Sequence, residues 1–186
     1  IRTGETDGIF QLESNLMKGL IKIMEPTGFE DVCAINACAR PGPLSAGFDK
    51  MYGEGKRGHL VQPPIRGCED ISEPTMNVPV FQEQLMTISK KVSGFDDMQA
   101  DSITRRVTAK KKKKLFPMMK RCHIFGKKNC EGPKGWESDD HAPWYDPQGK
   151  LGKEIPGAIA NGYTEKEMLD YFDAIEGFAN YALKKC

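Results

Sequence analysis

The chain has 186 residues, 39% of them hydrophobic and 28% charged, which is enough for one or two domains and too few to require several. Its formal net charge of +1 conceals an asymmetry: residues 105 to 130 carry eleven Arg or Lys and no Asp or Glu, so the remainder is acidic by ten. A uniformly basic shell is thereby excluded, and any field for a polyanion is confined to one block.

The apolar stretch "LMKGLIKIM" is broken by Lys18 and Lys22, so no membrane partner is expected. Cys33, Cys38, Cys68, Cys122, Cys130 and Cys186 include no C-x-x-C, and free thiols in a reducing, cytoplasmic setting are the simpler reading than three bridges. The chain opens on Ile1 with neither Met nor a leader-like segment and reads as a fragment of a longer protein.

Residues 10 to 24 set Leu16, Met17, Leu20 and Met24 on one helical face, and Pro26 stops the run. Thr27 and Glu30 form a capping-box pattern ahead of "FEDVCAINACA", a second helix with a small, apolar inner face. It ends at Arg40-Pro41-Gly42-Pro43, a rigid turn, after which residues 44 to 76 show no sustained period and read as irregular surface chain. The period returns after Pro79, where Phe81, Leu85, Ile88 and Val92 form a stripe. Asp96 or Asp97 then caps a helix whose inner side is Ala100, Ile103 and Val107. At 100° per residue, Ser102, Arg105, Arg106 and Ala109 gather on the opposite side, so both arginines can leave a helix anchored by its other face. The segment 126 to 162 is rich in glycine and proline, holds both tryptophans and has no period; Thr164 and Glu167 then box the start of a last helix striped by Met168, Phe172, Ile175 and Ala179. The fold class expected is mainly α.

Arg105 and Arg106 read in two ways, as a solvated helix face or as paired guanidinium forks offering several directed bonds to phosphate oxygens, as a triphosphate requires. Lys110 to Lys114 are either a solvated loop or a nonspecific grip on a nucleic-acid backbone, a field that Lys120, Arg121, Lys127 and Lys128 extend. Cys122, His123, Cys130 and His141 fit no standard zinc spacing, and the adjacent Asp139 and Asp140 read as surface decoration, so no metal is expected here. No Walker-type P-loop, G-x-S-x-G or carboxylate pair on a strand is present, so two-metal chemistry would have to draw on residues outside this chain.

Five blocks appear in order: "TDGIFQLES" (6 to 14), "FEDVCAINACARPGPLSAG" (29 to 47), "VFQEQLMTIS" (80 to 89), "GFDDMQADSITRRVTAKKK" (94 to 112) and "FDAIEGFANYALKK" (172 to 185). Together they closely resemble the fingers region of bacterial family C replicative DNA polymerases, the DNA polymerase III alpha subunit of the non-PolC kind. The resemblance implies a helical fingers domain, residues 1–126 and 162–186, with an irregular insertion or small lobe at 127–161. It also implies a parent enzyme that adds deoxynucleotides to a primer under template direction. The incoming deoxynucleoside triphosphate would meet Arg105, Arg106 and Lys110, with Arg40, Gln82 and Gln84 shaping the nucleotide-facing wall. The template-primer DNA would meet Lys111, Lys112, Lys113, Lys114, Lys120 and Arg121. Mg²⁺ would be bound outside this chain, on the aspartates of a palm domain in the same parent, and replisome subunits are further partners. The departures are Val107-Thr108-Ala109 where the family has A-M-G, no histidine near the end, and the extra residues around 127 to 161; they suggest a phage-encoded or otherwise outlying member. The alternatives are a helical nucleic-acid-binding module without catalysis and a protein-interaction or purely structural fragment.

Overall fold

The computed structural model describes residues 1–101, 120–126 and 155–182, with side chains to 175 in the last stretch. Every regular element among the described residues is helical, and the chain divides into two units, Ile1–Phe81 and Gln82–Cys186.

The first unit begins with turns, because Gly8 and Gln11 take positive φ of 80° and 64°, so helix α1 starts only at Asn15 and runs to Met24. The Ser14 hydroxyl accepts from Met17 N at 3.2 Å, and Glu25 in the left-handed region closes the other end ahead of Pro26. Met17, Leu20, Ile21 and Met24 are buried; Leu16, expected on that face, is exposed, since Ile21 completes the stripe one residue around the helix. Helix α2 (Phe29–Cys38) starts one residue later than the Thr27–Glu30 pattern implies, with Gly28 at the cap, so the box is closed by Asp31 and Glu30 stays exposed.

Asp31 is the hub of this unit. Its Oδ2 accepts from the backbone N–H groups of Thr27 (2.6 Å) and Gly28 (3.0 Å) and from Lys56 Nζ (2.9 Å), while its Oδ1 accepts from the Tyr52 hydroxyl at 2.6 Å. Burial alone would raise the carboxyl's pKa; the hydrogen bonds from Tyr52, Thr27, Lys56 and Gly28 outweigh it and hold the group well below the usual carboxylate range.

Tyr52 and Lys56 belong to α4 (Phe48–Lys56), a helix inside the stretch expected to be irregular. Its glycines read as breakers in the sequence, yet Gly53 is where α4 crosses α1: a methyl group there would collide with the Ile23 carbonyl oxygen. A short α3 (Pro41–Ser45), α5 (Glu69–Ser72) and a 3₁₀ turn (Glu73–Thr75) complete the unit. Cys33, Cys38, Cys68 and Cys122 are free thiols, and burial, followed by the charge of Asp49, pushes Cys38 up to about 12.

The second unit is built on α6 (Gln82–Ser93), a helical stretch at 97–101, another at 120–125 and α7 (Glu165–Ala182). Ile88 and Val92 of the expected α6 stripe are buried, but Leu85 is only half-buried, because the inward face also carries Gln84, Ser89 and Ser93. The serines have a partner: His123 of the 120–125 helix lies with Nδ1 2.9 Å from Ser93 Oγ and Nε2 3.5 Å from Ser89 Oγ. Ser89 donates its own proton to Leu85 O at 2.8 Å, so Nε2 carries the ring proton and Nδ1 accepts from Ser93. Phe95 and Phe172 meet the imidazole edge-on, at centroid distances of 4.5 and 5.3 Å. Burial lowers the His123 pKa to about 3 and keeps the ring neutral.

Residues 155–162 finish both helices. Gly157 N and Asn161 Nδ2 donate to the Ser93 and Val92 carbonyls of α6, and Ala158 N and Ile159 N to those of His123 and Ile124. Carbonyls that a helix end leaves unpaired are thus satisfied by one segment. The crossing is backbone against backbone at Gly126 and Gly157, both at positive φ (79° and 83°), where a methyl on either would strike the other strand of chain. Asp96 Oδ1 accepts from Gln99 N (2.8 Å) while Gln99 Oε1 accepts from Asp96 N (2.9 Å), and Thr164 with Glu167 forms a second reciprocal box, so both caps stand where the sequence puts them. Met168, Phe172 and Ile175 are buried as expected, with Tyr171 added; Ile103, Val107 and the side chain of Ala179 lie outside the described residues.

Two outcomes are expected. Replacing Tyr52 by Phe removes a bond to a charged acceptor and should lower the unfolding free energy by about 1.5–3 kcal/mol in urea titrations; an unchanged midpoint would show that the Asp31 hub does not hold α2 to α4. Because folded His123 stays neutral to about pH 3 while the unfolded ring takes a proton below about 6.5, stability should fall as pH drops through that window. The slope should reach up to about 1.4 kcal/mol per pH unit between pH 6 and 4. A native His123 imidazole resonance titrating near pH 6.5 would contradict this.

Candidate functional site

In the first unit, α2 stops at Cys38, and Pro41 cannot extend it but can begin a new helix at its first position. Arg40 is the hinge residue, extended at φ −106° and ψ 143°, its carbonyl accepting from Leu44 N at 3.1 Å. Gly42 and Pro43 turn inward and are buried, which leaves the Arg40 guanidinium exposed and paired with no described residue. The R-P-G-P string is therefore a device that ends one helix, starts another and presents a cation at the corner.

In the second unit, Gln82 and Gln84 open α6, and two helical steps separate them by about 200° around the axis. Gln82 is half-buried and Glu83 exposed, while Gln84 is buried. The three residues of Q-E-Q thus do not share a face, and Gln84 belongs to the packed side of the helix.

The Asp96–Gln99 box starts the helical stretch at 97, with Ala100 fully buried and Asp101 half-buried. Arg105, Arg106 and Lys110 to Lys114 lie outside the described residues, as do Lys127, Lys128, Cys130, Asp139, Asp140 and His141.

The two cations of the basic block that are described, Lys120 and Arg121, are consecutive on one helix and have different surroundings. Cys122, His123 and Ile124 bury the inner side of that helix. Lys120 leans over the Phe172 ring, Nζ 5.7 Å from its centroid, and reaches Asp173 Oδ1 at 3.3 Å, with its side chain 21% exposed. Arg121 is exposed and paired with no described residue. His123, weighed in the sequence only as a metal ligand, is instead the inner member of the same stack. Its partners Ser89 and Ser93 stand 34 and 30 positions upstream, so no local signal marks them.

Among the described residues no group of three or more His, Cys, Asp or Glu side chains is placed to hold a metal ion, and no helix is long and apolar enough to cross a membrane. A cavity of about 270 Å³ in the first unit is lined by Gly55, His59, Val61, Glu73, Met76 and Asn77, among others, and includes none of the expected site residues.

Residues 1–129 match the family model described as the bacterial DNA polymerase III alpha subunit finger domain. The chain is 33% identical over 186 residues to the DNA polymerase III subunit alpha of Aquifex aeolicus (strain VF5), covering 100% of this chain and 13% of that one. To the subunit alpha of Bacillus subtilis (strain 168) it is 40% identical over 185 residues, 98% of this chain and 13% of that one. To that of Saccharopolyspora erythraea it is 41% identical over 118 residues, 61% of this chain and 10% of that one. The chain thus spans about one eighth of the first of these relatives. With the family model covering both the R-P-G-P corner and the basic block, on a helical framework free of strands among the described residues, the chain belongs to the bacterial DNA polymerase III alpha subunit finger domain family.

Proposed function

We propose that this chain is the fingers portion of a replicative DNA polymerase and contributes to binding of the incoming deoxynucleoside triphosphate and the template-primer during DNA-templated synthesis. The observation that carries this reading is the family match over residues 1–129, which takes in Arg105, Arg106 and the lysine run within a block of eleven cations without an acid.

The chemistry follows from the residue types. A triphosphate presents several anionic oxygens in fixed geometry, and two planar guanidinium forks can meet them with paired, charge-assisted bonds that single ammonium groups do not offer. Arg105 and Arg106 carry that role, with Lys110, Arg40 and Gln82 as further contacts of the nucleotide; Gln84, buried on the packed side of α6, drops out of the set. Lys111, Lys112, Lys113 and Lys114 are point charges on flexible stems, suited to the sequence-independent backbone of the template-primer; Arg121 continues the positive field. Mg²⁺, held by carboxylates of a palm domain elsewhere in the parent chain, would neutralise charge on the reacting phosphates; the described residues supply no such donor set. The partners are the palm of the same parent and other replisome subunits, in the bacterial cytoplasm, and a phage-encoded parent fits the departures in the chain.

Substituting Arg105 or Arg106 by Ala in the full-length parent should lower kcat/KM for the nucleotide by about ten- to a hundred-fold, the loss of about 1.5–3 kcal/mol of charge-assisted bonding. Primer-template affinity should stay near wild type. Steady-state kinetics with nucleotide varied at saturating DNA measures the first, and equilibrium titration the second. Arginine variants with wild-type nucleotide dependence would reduce the pair to surface charge. Replacing Lys112, Lys113 and Lys114 together by Ala should instead weaken DNA binding and flatten its dependence on salt. The isolated 186-residue chain should extend no primer with Mg²⁺ present; DNA binding with no response to nucleotide in the parent would favour the non-catalytic module.

A further inference from the structure

Lys120 and Arg121 are neighbours in sequence, equal in charge and both within the basic block, so the sequence treats them alike. Their surroundings do not. We propose that Lys120 is the cationic cap of a buried aromatic column and takes no part in DNA binding, and that Arg121 is the phosphate contact at this end of the block. The proposal rests on the reading that the block meets a DNA backbone.

The column is continuous. Phe95 meets the His123 ring at 4.5 Å, His123 meets Phe172 at 5.3 Å, and Lys120 Nζ stands 5.7 Å from the Phe172 centroid. Asp173, the residue after Phe172 on α7, takes the Lys120 ammonium at 3.3 Å. Among the described residues the Lys120 charge is answered by the face of the Phe172 ring and by the Asp173 carboxylate. Phosphate could recruit Lys120 only by pulling its ammonium from the Phe172 ring and the Asp173 carboxylate. Asp173 would also stand beside the phosphate as a like charge, its side chain 71% exposed. Arg121 faces none of these costs: it is exposed, pairs with no described residue, and projects from a helix whose opposite side is anchored by Cys122, His123 and Ile124. One step along the helix turns its side chain about 100° from Lys120 and so away from the Asp173 carboxylate.

The experiment compares Lys120→Met, which keeps an unbranched apolar stem over the ring and removes the charge, with Arg121→Gln, both in the 186-residue chain. Duplex DNA binding is measured at several salt concentrations, and thermal unfolding in parallel. Arg121→Gln should lower the slope of log K against log salt by about 0.9, one phosphate contact, and leave the melting temperature unchanged. Lys120→Met should leave the slope unchanged and shift the melting temperature. Should Lys120→Met be poorly folded, Asp173→Asn gives the same reading: an unchanged slope if Lys120 is packing. A slope that falls with Lys120→Met, or stays with Arg121→Gln, overturns the assignment. A wild-type chain whose binding ignores salt instead overturns the DNA reading itself, and with it the role of Arg121.

Discussion

One neutral imidazole holds the second unit together. His123 donates from Nε2 toward Ser89 and accepts from Ser93 at Nδ1, so a helix at 120–125 is fixed to α6 by two hydroxyls, and Phe172 brings α7 to the same ring. A protonated ring could not accept from Ser93 and would be a charge in an apolar setting without a counter-ion. The fold therefore depends on keeping a proton off this ring, and burial lowers the His123 pKa accordingly. Where an imidazole and a thiol stand side by side in sequence, as His123 and Cys122 do, burial here makes both part of the core and leaves no open ligand.

The first unit solves the same problem with the opposite charge state. Asp31 is kept ionised because its oxygens receive bonds from Tyr52, Lys56 and two backbone N–H groups. It caps α2 and tethers α4 with a single side chain, so the start of one helix and the placement of another are one event. At the far end of α2, the R-P-G-P corner exposes Arg40. Each unit thus pairs a buried polar hub with an exposed arginine, Arg40 at the corner between α2 and α3 and Arg121 on the 120–125 helix.

What the sequence made legible was local. The caps at Asp96 and Thr164, the stops at Pro26 and Pro41, and the α7 stripe from Met168 through Phe172 to Ile175 all depend on residues within four positions of their neighbours in the pattern, and they stand where periodicity puts them. What it hid was long-range. Gly53 reads as a helix breaker until α1 is seen against it, and Asp31 displaces Glu30 as the box residue only because Tyr52 and Lys56 await it on α4. Lys120 looks like every other lysine of the block, and its partner Asp173 stands 53 residues downstream. Gln84 shares a motif with Gln82 yet turns into the core. The arginine pair carried the strongest functional signal in the sequence, through its residue types and its place in the family, and neither arginine is among the described residues.

The central claim is that Arg105 and Arg106 meet the incoming triphosphate, and its most direct test is covalent capture. A deoxynucleoside triphosphate bearing a photoreactive group on its terminal phosphate is bound to the full-length parent with primer-template and Mg²⁺, irradiated, and the labelled peptide identified by mass spectrometry. Label in the peptide spanning residues 102 to 112, suppressed by excess natural nucleotide, is the result expected. Label confined to peptides outside this chain, equally suppressed by natural nucleotide, would contradict it.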